Sequence, residues 1–247
     1  MKHVRITEER GLPRKEFLDE FNQGSHYGQE FPFFGGGIKS ELYFGPYMTI
    51  PSEQCKAVAR HALKIFGGEL KVQAYYDDSK SISVDLLTTL DSLHVGVKSI
   101  GTIGLSEVPL FRSSGEEFPT RIELCAGALT EEVFWENALA SAAFSIIKLQ
   151  SSVMPGDVIV DVFNDYIKSP KMPHVYLTVP FMWNDAYFPQ LEFASLKVNW
   201  LQCVAIYEEE RAFVEKFGGD AFDDLLSDQE INTLDYDRLP VNLTRFK

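Results

Sequence analysis

Two groups of strand-like runs, separated by one long amphipathic helix, constrain the fold of this chain more than any other feature of its sequence. Apolar, β-branched and aromatic residues dominate the runs, as is typical of strands. They cover 70–76, 82–88, 93–100 and 120–125 before the helix, and 174–179, 191–194 and 198–206 after it. Strands and helices do not alternate one by one, as they would in a parallel βαβ protein. The pattern therefore predicts an α+β fold, with a mixed, largely antiparallel sheet and helices packed on it.

Local start and stop signals place the shorter helices. Pro51-Ser52 is a typical helix start, and apolar residues at helical spacing follow until the Gly67-Gly68 pair. A glycine pair of this kind ends a helix readily. We expect a further helix over 208–217, ended by Gly218-Gly219, and a short one over 221–226.

The long central helix is expected from about Thr130, as its N-cap, to Gln150. Apolar residues recur there at intervals of three and four, which predicts one buried face. The residues expected on that face are Val133, Phe134, Ala138, Leu139, Ala142, Ile146 and Ile147. Those expected in solvent are Glu132, Glu136 and Lys148.

Composition divides the chain into two parts. Residues 1–45 are rich in glycine and phenylalanine, and we interpret them as an N-terminal arm that precedes a main domain over 46–247. Glycine at this density disfavours regular structure, whereas phenylalanine rings need to be covered. We therefore expect Phe31, Phe33 and Phe34 to be covered, by this chain or by a second copy of it.

The net charge of the chain limits the classes of partner that it can bind. There are 36 acidic and 23 basic residues, for a formal net charge of −13. Nucleic-acid binding requires a basic footprint, so we expect no nucleic-acid partner. An acidic protein attracts a basic one, and the segment from 208 to 247 carries much of the excess. Glu209, Asp223 and Asp224 are the carboxylates that we expect to attract such a partner; a merely solvated acidic face is the alternative.

Motifs for catalysis or metal binding are missing from the sequence. The three cysteines are far apart, and no C-x-x-C or H-x-x-x-H spacing occurs, which argues against a zinc site. Neither a G-x-S-x-G elbow nor a phosphate-binding glycine loop is present. We therefore expect no catalytic residue, metal or cofactor. The N-terminus has no apolar secretion signal and no run is long enough to span a membrane, so we expect a cytoplasmic protein.

An aromatic-rich segment over 181–188 suggests a contact surface. Exposed aromatic residues are enriched at protein interfaces, and Trp183 is the candidate anchor. The alternative is that the segment caps the core.

An ordered series of short motifs resembles the suppressor of fused (SUFU) domain family between about Cys55 and Leu239. Its first half is similar to the bacterial branch of immunity proteins and antitoxins. The first-half motifs are Tyr75-Tyr76-Asp77-Asp78 and the segment 99–105. Those of the second half are Pro155-Gly156-Asp157-Val158, Val175-Tyr176-Leu177-Thr178, Pro180-Phe181-Met182-Trp183, the segment 198–206, Glu208-Glu209-Glu210, Gly218-Gly219, Leu225-Leu226 and Asp237-Arg238.

The resemblance implies a binding protein. Eukaryotic members clamp a peptide of a transcription factor as an added strand, using an aspartate after a glycine. Asp157 matches that aspartate, whereas Ser145 and Val153 stand where the clamp has aromatic residues, so Asp157 alone is carried over. Bacterial members resemble proteins that neutralise toxins, several of them nucleases. The leading hypothesis is an immunity protein that binds a basic toxin domain; a regulatory scaffold and a hydrolase are the alternatives.

Overall fold

An eight-stranded sheet forms the centre of the protein. The computed structural model describes residues 51–183 and 188–244. The strands are β1 (Glu69–Tyr76), β2 (Ser83–Leu90), β3 (Val97–Ile103), β4 (Arg121–Leu129), β5 (Val158–Ile159), β6 (His174–Thr178), β7 (Leu191–Glu192) and β8 (Lys197–Ile206). The helices of the described residues are α1 (Glu53–Phe66), α2 (Trp135–Leu149), α3 (Glu208–Phe217) and α4 (Gly219–Asp228).

The strand order is β1-β2-β3-β4-β8-β6-β5, with β7 paired to the start of β8. The first four strands form an antiparallel meander. After β4 the chain passes through α2, β5, β6 and β7 before β8 pairs with β4 in parallel, and β8 then pairs antiparallel with β6. The predicted mixed, largely antiparallel α+β fold is thereby confirmed.

Strand β8 shows how the two faces of the sheet are covered, because successive side chains point to opposite faces. Leu201, Cys203 and Ala205 belong to the core cluster beneath α2. On the other face, Trp200 packs with the α1 cluster, and Val204 packs with α3 and α4. Helix α2 therefore covers one face, while α1 and the α3–α4 pair divide the other.

Helix α1 begins as its sequence predicts. The side chain of Ser52 accepts a hydrogen bond from the Cys55 backbone N–H at 3.0 Å, which caps the helix. Gly67 ends it with a φ of +69°, a conformation that glycine adopts without steric cost. The predicted bounds of α3 are also confirmed. The arm over 1–45, with its three phenylalanines, lies outside the described residues.

The predicted start of α2 is wrong. Residues 130–134 form turns, and the helix begins at Trp135 without a side-chain cap. Val133, placed on the buried face by helical spacing, is 74% exposed as a result. The other members of the predicted face are buried or partly buried: Phe134, Ala138, Leu139, Ala142, Ile146 and Ile147.

Two of the three side chains expected in solvent near α2 are instead engaged. The carboxylate of Glu132 accepts hydrogen bonds from the backbone N–H groups of Leu129 and Tyr236, so this side chain is buried. Glu136 lies 2.7 Å from Nζ of the buried Lys98. Lys148 is exposed, as predicted. The carboxylates thus join the ends of β3 and β4 to the helix.

Candidate functional site

Three segments that are far apart in the sequence meet at the C-terminal end of β6. The turn over 154–157 lies beside the strand, because the Gly156 N–H donates to the Leu177 carbonyl at 2.8 Å and the Leu177 N–H donates to the Asp157 carbonyl at 2.9 Å. Helix α4 lies on the same end, and the loop over 179–183 continues from the strand. We call this region the β6 end.

Two glycines allow the turn and α4 to approach each other. A β carbon at Gly219 would lie 2.5 Å from Cα of Gly156 and 3.0 Å from the Tyr176 hydroxyl. Gly156 has a φ of +98°, which disfavours any residue with a side chain. The Pro155-Gly156 and Gly218-Gly219 motifs therefore make one backbone contact, which fixes the turn against the start of α4.

Asp223 anchors α4 to the strand. Its carboxylate accepts hydrogen bonds from the Tyr176 hydroxyl at 3.0 Å and from the Thr178 hydroxyl at 3.2 Å. Burial raises the pKa of this carboxyl group above its ordinary value, although the two hydroxyl bonds oppose that rise. Asp223 is thus partly buried and bonded within the fold, whereas its neighbour Asp224 is exposed.

Asp157 closes the turn on which it lies. Its Oδ2 atom accepts a hydrogen bond from the Met154 N–H at 2.7 Å, while the Asp157 backbone N–H donates to the Met154 carbonyl at 3.1 Å. Side-chain bonds of this kind stabilise tight turns. The turn leads directly into β5, which lies at the edge of the sheet.

Trp183 is not an exposed anchor, so this part of the prediction is wrong. Its side chain is 2% exposed, its Nε1–H donates to the Ser99 hydroxyl at 2.8 Å, and its ring packs against Phe66 and Phe188. The interpretation that the segment caps the core is correct for this residue. Phe181, two residues earlier, is the exposed aromatic side chain.

Glu209 lies at the opposite end of β6. The preceding residue, Glu208, accepts a hydrogen bond from Nε2 of His174, the first residue of that strand, at 2.6 Å. Since β6 spans about 13 Å from His174 to Thr178 at 3.3 Å per residue, Glu209 follows a residue that is bonded to the far end of the strand. The structure therefore brings Asp157, Asp223 and Asp224 to one region, with Trp183 beneath the surface and Glu209 outside it.

The acidic residues of α3 and α4 differ in how they are paired. On α3, Arg211 forms ion pairs with Glu208 and Glu215, and Arg238 pairs with Glu210. Hydrogen bonds from Arg211 and His174 lower the pKa of Glu208 to about 2. No carboxylate of α4 has an ion-pair partner among the described residues. Within these two helices, the carboxylates without an ion-pair partner among the described residues are therefore Glu209 and the four aspartates of α4.

Sequence reasoning missed Met154 and Val179 among the exposed apolar side chains at the β6 end, whereas Phe181 lies in the 181–188 segment that it proposed as a contact surface. Met154, Val179 and Phe181 are each about half exposed. The available signal was the position of Val179 and Phe181 around a proline directly after a buried strand. Met154 carried no signal, because only the pairing of β5 with β6 brings it to this end.

Within residues 51–183 and 188–244, no three His, Cys, Asp or Glu side chains are grouped so that they could hold a metal ion. In the same ranges, no helix combines the length and apolar character needed to cross a bilayer.

Comparison with known proteins assigns the chain to a family. Residues 80–239 match the family described as suppressor of fused protein (SUFU). The immunity protein YqcF of Bacillus subtilis (strain 168) is 34% identical over 188 residues, which are 76% of this chain and 96% of that protein.

Solved structures share the fold at low sequence identity. A SUFU homologue from Neisseria gonorrhoeae FA 1090 has a TM-score of 0.58 and 11% identity, covering 76% of this chain and 96% of its own. A chain of the Sufu–Fu complex has a TM-score of 0.56 and 13% identity, covering 80% and 95%. Drosophila Suppressor of Fused has a TM-score of 0.57 and 13% identity, covering 79% and 52%. Residues 80–239 match the family, and the solved structures share the fold of the chain. The chain therefore belongs to the suppressor of fused (SUFU) family.

Proposed function

We propose that this protein acts by binding another protein, and that it is an immunity protein which neutralises a cognate toxin by direct contact. The observation that carries the proposal is that the four aspartates of α4 have no ion-pair partner among the described residues, while the segments that meet α4 at the β6 end carry exposed apolar side chains. Similarity to the immunity protein YqcF over almost the whole of that protein supports it. Binding, and no catalytic step, is the proposed activity.

A basic toxin domain is the proposed partner. Enzymes that act on nucleic acids carry Lys and Arg to neutralise phosphates, and an acidic surface competes for those same side chains. Asp224 and Glu209 are exposed and would attract such a domain at long range, within the screening length of about 8 Å at physiological salt. Asp157 is a further proposed contact, while Trp183 supports the surface from beneath.

A regulatory scaffold that binds a peptide is the second candidate, and the position of Asp157 favours it. This residue directly precedes the edge strand β5, which among the described strands pairs only with β6. An extended peptide adds to such an edge through backbone hydrogen bonds. Fu, the partner in the Sufu–Fu complex, is the partner of that structural relative and supplies only the precedent of a protein complex.

Co-expression tests the proposed function. The toxin domain encoded beside the gene for this chain would be expressed alone and together with the full chain, and growth and complex formation would be measured. Restored growth together with a stoichiometric complex is expected. Unchanged toxicity and no complex, with the full chain folded and abundant, would reject the toxin-neutralising function. Asp157→Ala separates the candidates, because it should weaken binding of an added strand more than binding at the acidic surface.

A further inference from the structure

An exposed apolar cluster lies at the β6 end. Met154 is 51% exposed, Val179 52% and Phe181 53%. The turn that carries Met154 lies beside the strand that leads to Val179 and Phe181, because the Gly156 N–H donates to the Leu177 carbonyl at 2.8 Å. The three apolar side chains therefore belong to adjoining segments. We call Met154, Val179 and Phe181 the apolar triad.

The described segments that meet at the apolar triad carry acidic side chains and no basic ones. The segments that meet there are 154–157, 176–183 and α4, and together they contain no Lys, Arg or His. Their five acidic residues are Asp157, Asp220, Asp223, Asp224 and Asp228. Along the chain, His174 at the start of β6 lies two residues before these segments, and the nearest lysine or arginine is Lys216 of α3, whose Nζ lies 4.8 Å from the centre of the Phe217 ring.

The backbone beneath Phe181 is held in place before any partner arrives. The Phe181 N–H donates to Oε1 of the buried Gln202 at 2.9 Å. The next residue, Met182, fills a notch above the sheet, since a β carbon at Gly127 would lie 2.6 Å from its sulfur. Trp183 is bonded to Ser99. Three consecutive residues are thus fixed to β8, β4 and β3, which lowers the ordering cost of using Phe181 in binding.

We infer that the apolar triad and the exposed aspartates of α4 form the docking surface for a basic protein that presents a bulky apolar side chain between lysines or arginines. The inference rests on the proposed function in that the toxin domain would be this protein. Apolar side chains at the centre of an interface contribute most of the affinity when a polar rim excludes water around them. Here the rim is acidic, and its charge selects a basic partner.

The same charges argue against two other ligands. A phosphate backbone would meet five carboxylates and no base, although its binding depends on basic side chains. The anionic surface of a membrane attracts Lys and Arg clusters for the same reason. A basic protein surface is the class of partner that meets both the apolar and the charged parts of this site.

A peptide titration tests the docking surface without requiring the toxin. The probe is a short synthetic peptide with a central Leu–Phe pair flanked by lysines, and amide chemical shifts of the full chain report where it binds. Shifts are expected at Val179, Phe181 and along α4. Phe181→Ser and Asp224→Lys should each weaken binding about tenfold or more, as loss of an anchor does. A peptide with serines in place of Leu–Phe should bind wild type and Phe181→Ser equally.

Matched control variants are available at the other end of the sheet. Val133 and Glu131 are exposed in the turns before α2, so Val133→Ser and Glu131→Lys should leave peptide affinity within about twofold of wild type. Shifts scattered over the surface, or Phe181→Ser binding as tightly as wild type, would overturn the docking surface. Toxin neutralisation by both Phe181→Ser and Asp224→Lys at wild-type level would also overturn it, yet would leave the proposed function standing. If wild type fails to neutralise the toxin but binds the peptide as expected, the proposed function is rejected and the docking surface still stands.

Discussion

Replacing Arg238 by methionine tests the ion pair that holds the C-terminal segment against α3. The guanidinium of Arg238 donates to the Glu210 carboxylate at 2.7 and 2.6 Å, to the Ala205 carbonyl at 3.1 Å and to the Leu239 carbonyl at 3.0 Å. Both side chains are shielded from water, with Glu210 0% and Arg238 5% exposed. Glu210 also accepts hydrogen bonds from the backbone N–H groups of Tyr207 and Val241.

The expected loss follows from what Arg238→Met leaves behind. A buried carboxylate loses its only cation, and two carbonyl groups lose a donor. Breaking a buried pair by removing one partner costs about 3–5 kcal/mol. That is a large part of the 5–15 kcal/mol or so by which most domains are stable. At roughly 2–4 °C per kcal/mol for a domain of this size, the melting temperature should fall by about 6–20 °C.

Urea unfolding measures the loss, with an unchanged m-value as the check that the transition stays two-state. Arg211→Met is the matched control, because its pairs with Glu208 and Glu215 are exposed and should contribute less than about 1 kcal/mol. The double variant Glu210→Gln/Arg238→Met should be more stable than Arg238→Met, since it removes the unpaired charge and keeps an acceptor. A single-variant loss under about 1 kcal/mol, or a double variant less stable than the single, would refute the reasoning.

Three more predictions follow from the structure. Burial raises the pKa of Glu123 from 4.5 to about 7, so between these pH values the folded chain keeps a proton that the unfolded chain loses. The free energy of unfolding of wild type should therefore fall by about 3 kcal/mol between pH 4.5 and 7, and that of Glu123→Gln should not show this fall. Urea unfolding that gives the same pH dependence for both proteins would contradict the prediction. Gly219→Ala should cost about 1–3 kcal/mol, because its β carbon would lie 2.5 Å from Cα of Gly156, and an unchanged thermal midpoint would disprove the contact. Glu209→Lys with Asp224→Lys should slow association with the toxin domain more than it speeds dissociation, measured by surface plasmon resonance at low and high salt; an association rate indifferent to both charge and salt would exclude steering.

Helix ends were predictable where the signal is local. Ser52 caps α1 through a residue three positions away, and Gly67 ends it, so the sequence contains all that is needed. The start of α2 depends instead on distant residues. Glu132 bonds the Tyr236 N–H, 104 residues away, and this bond keeps the segment before the helix in turns. Tertiary contacts thus overrode a local helical pattern.

The candidate site was predictable only in part, for a similar reason. Asp157 and Asp223 could be identified by motif, yet their bonding to the turn and to Tyr176 and Thr178 depends on strand register. Trp183 illustrates the limit: an aromatic residue in a loop faces solvent or core according to its partner, and its partner Ser99 is 84 residues away. Composition located the acidic surface but could not separate paired from unpaired carboxylates.

In the C-terminal half, ion pairing distinguishes the acidic residues that stabilise the fold from those that are available to bind a partner. Arg238 is engaged with the buried Glu210 of α3, so reversing that acid would disturb the fold, whereas the exposed pairs of Arg211 contribute little. On α4, Asp224 is exposed and has no ion-pair partner among the described residues, so its substitution should change partner recognition with little effect on folding. Replacing Asp223, one position earlier, by lysine or alanine would remove the acceptor for the Tyr176 and Thr178 hydroxyls. Of these adjacent aspartates, Asp223 therefore stabilises the fold and Asp224 is available for binding. Substitution of Asp224 could change the partner without changing the fold.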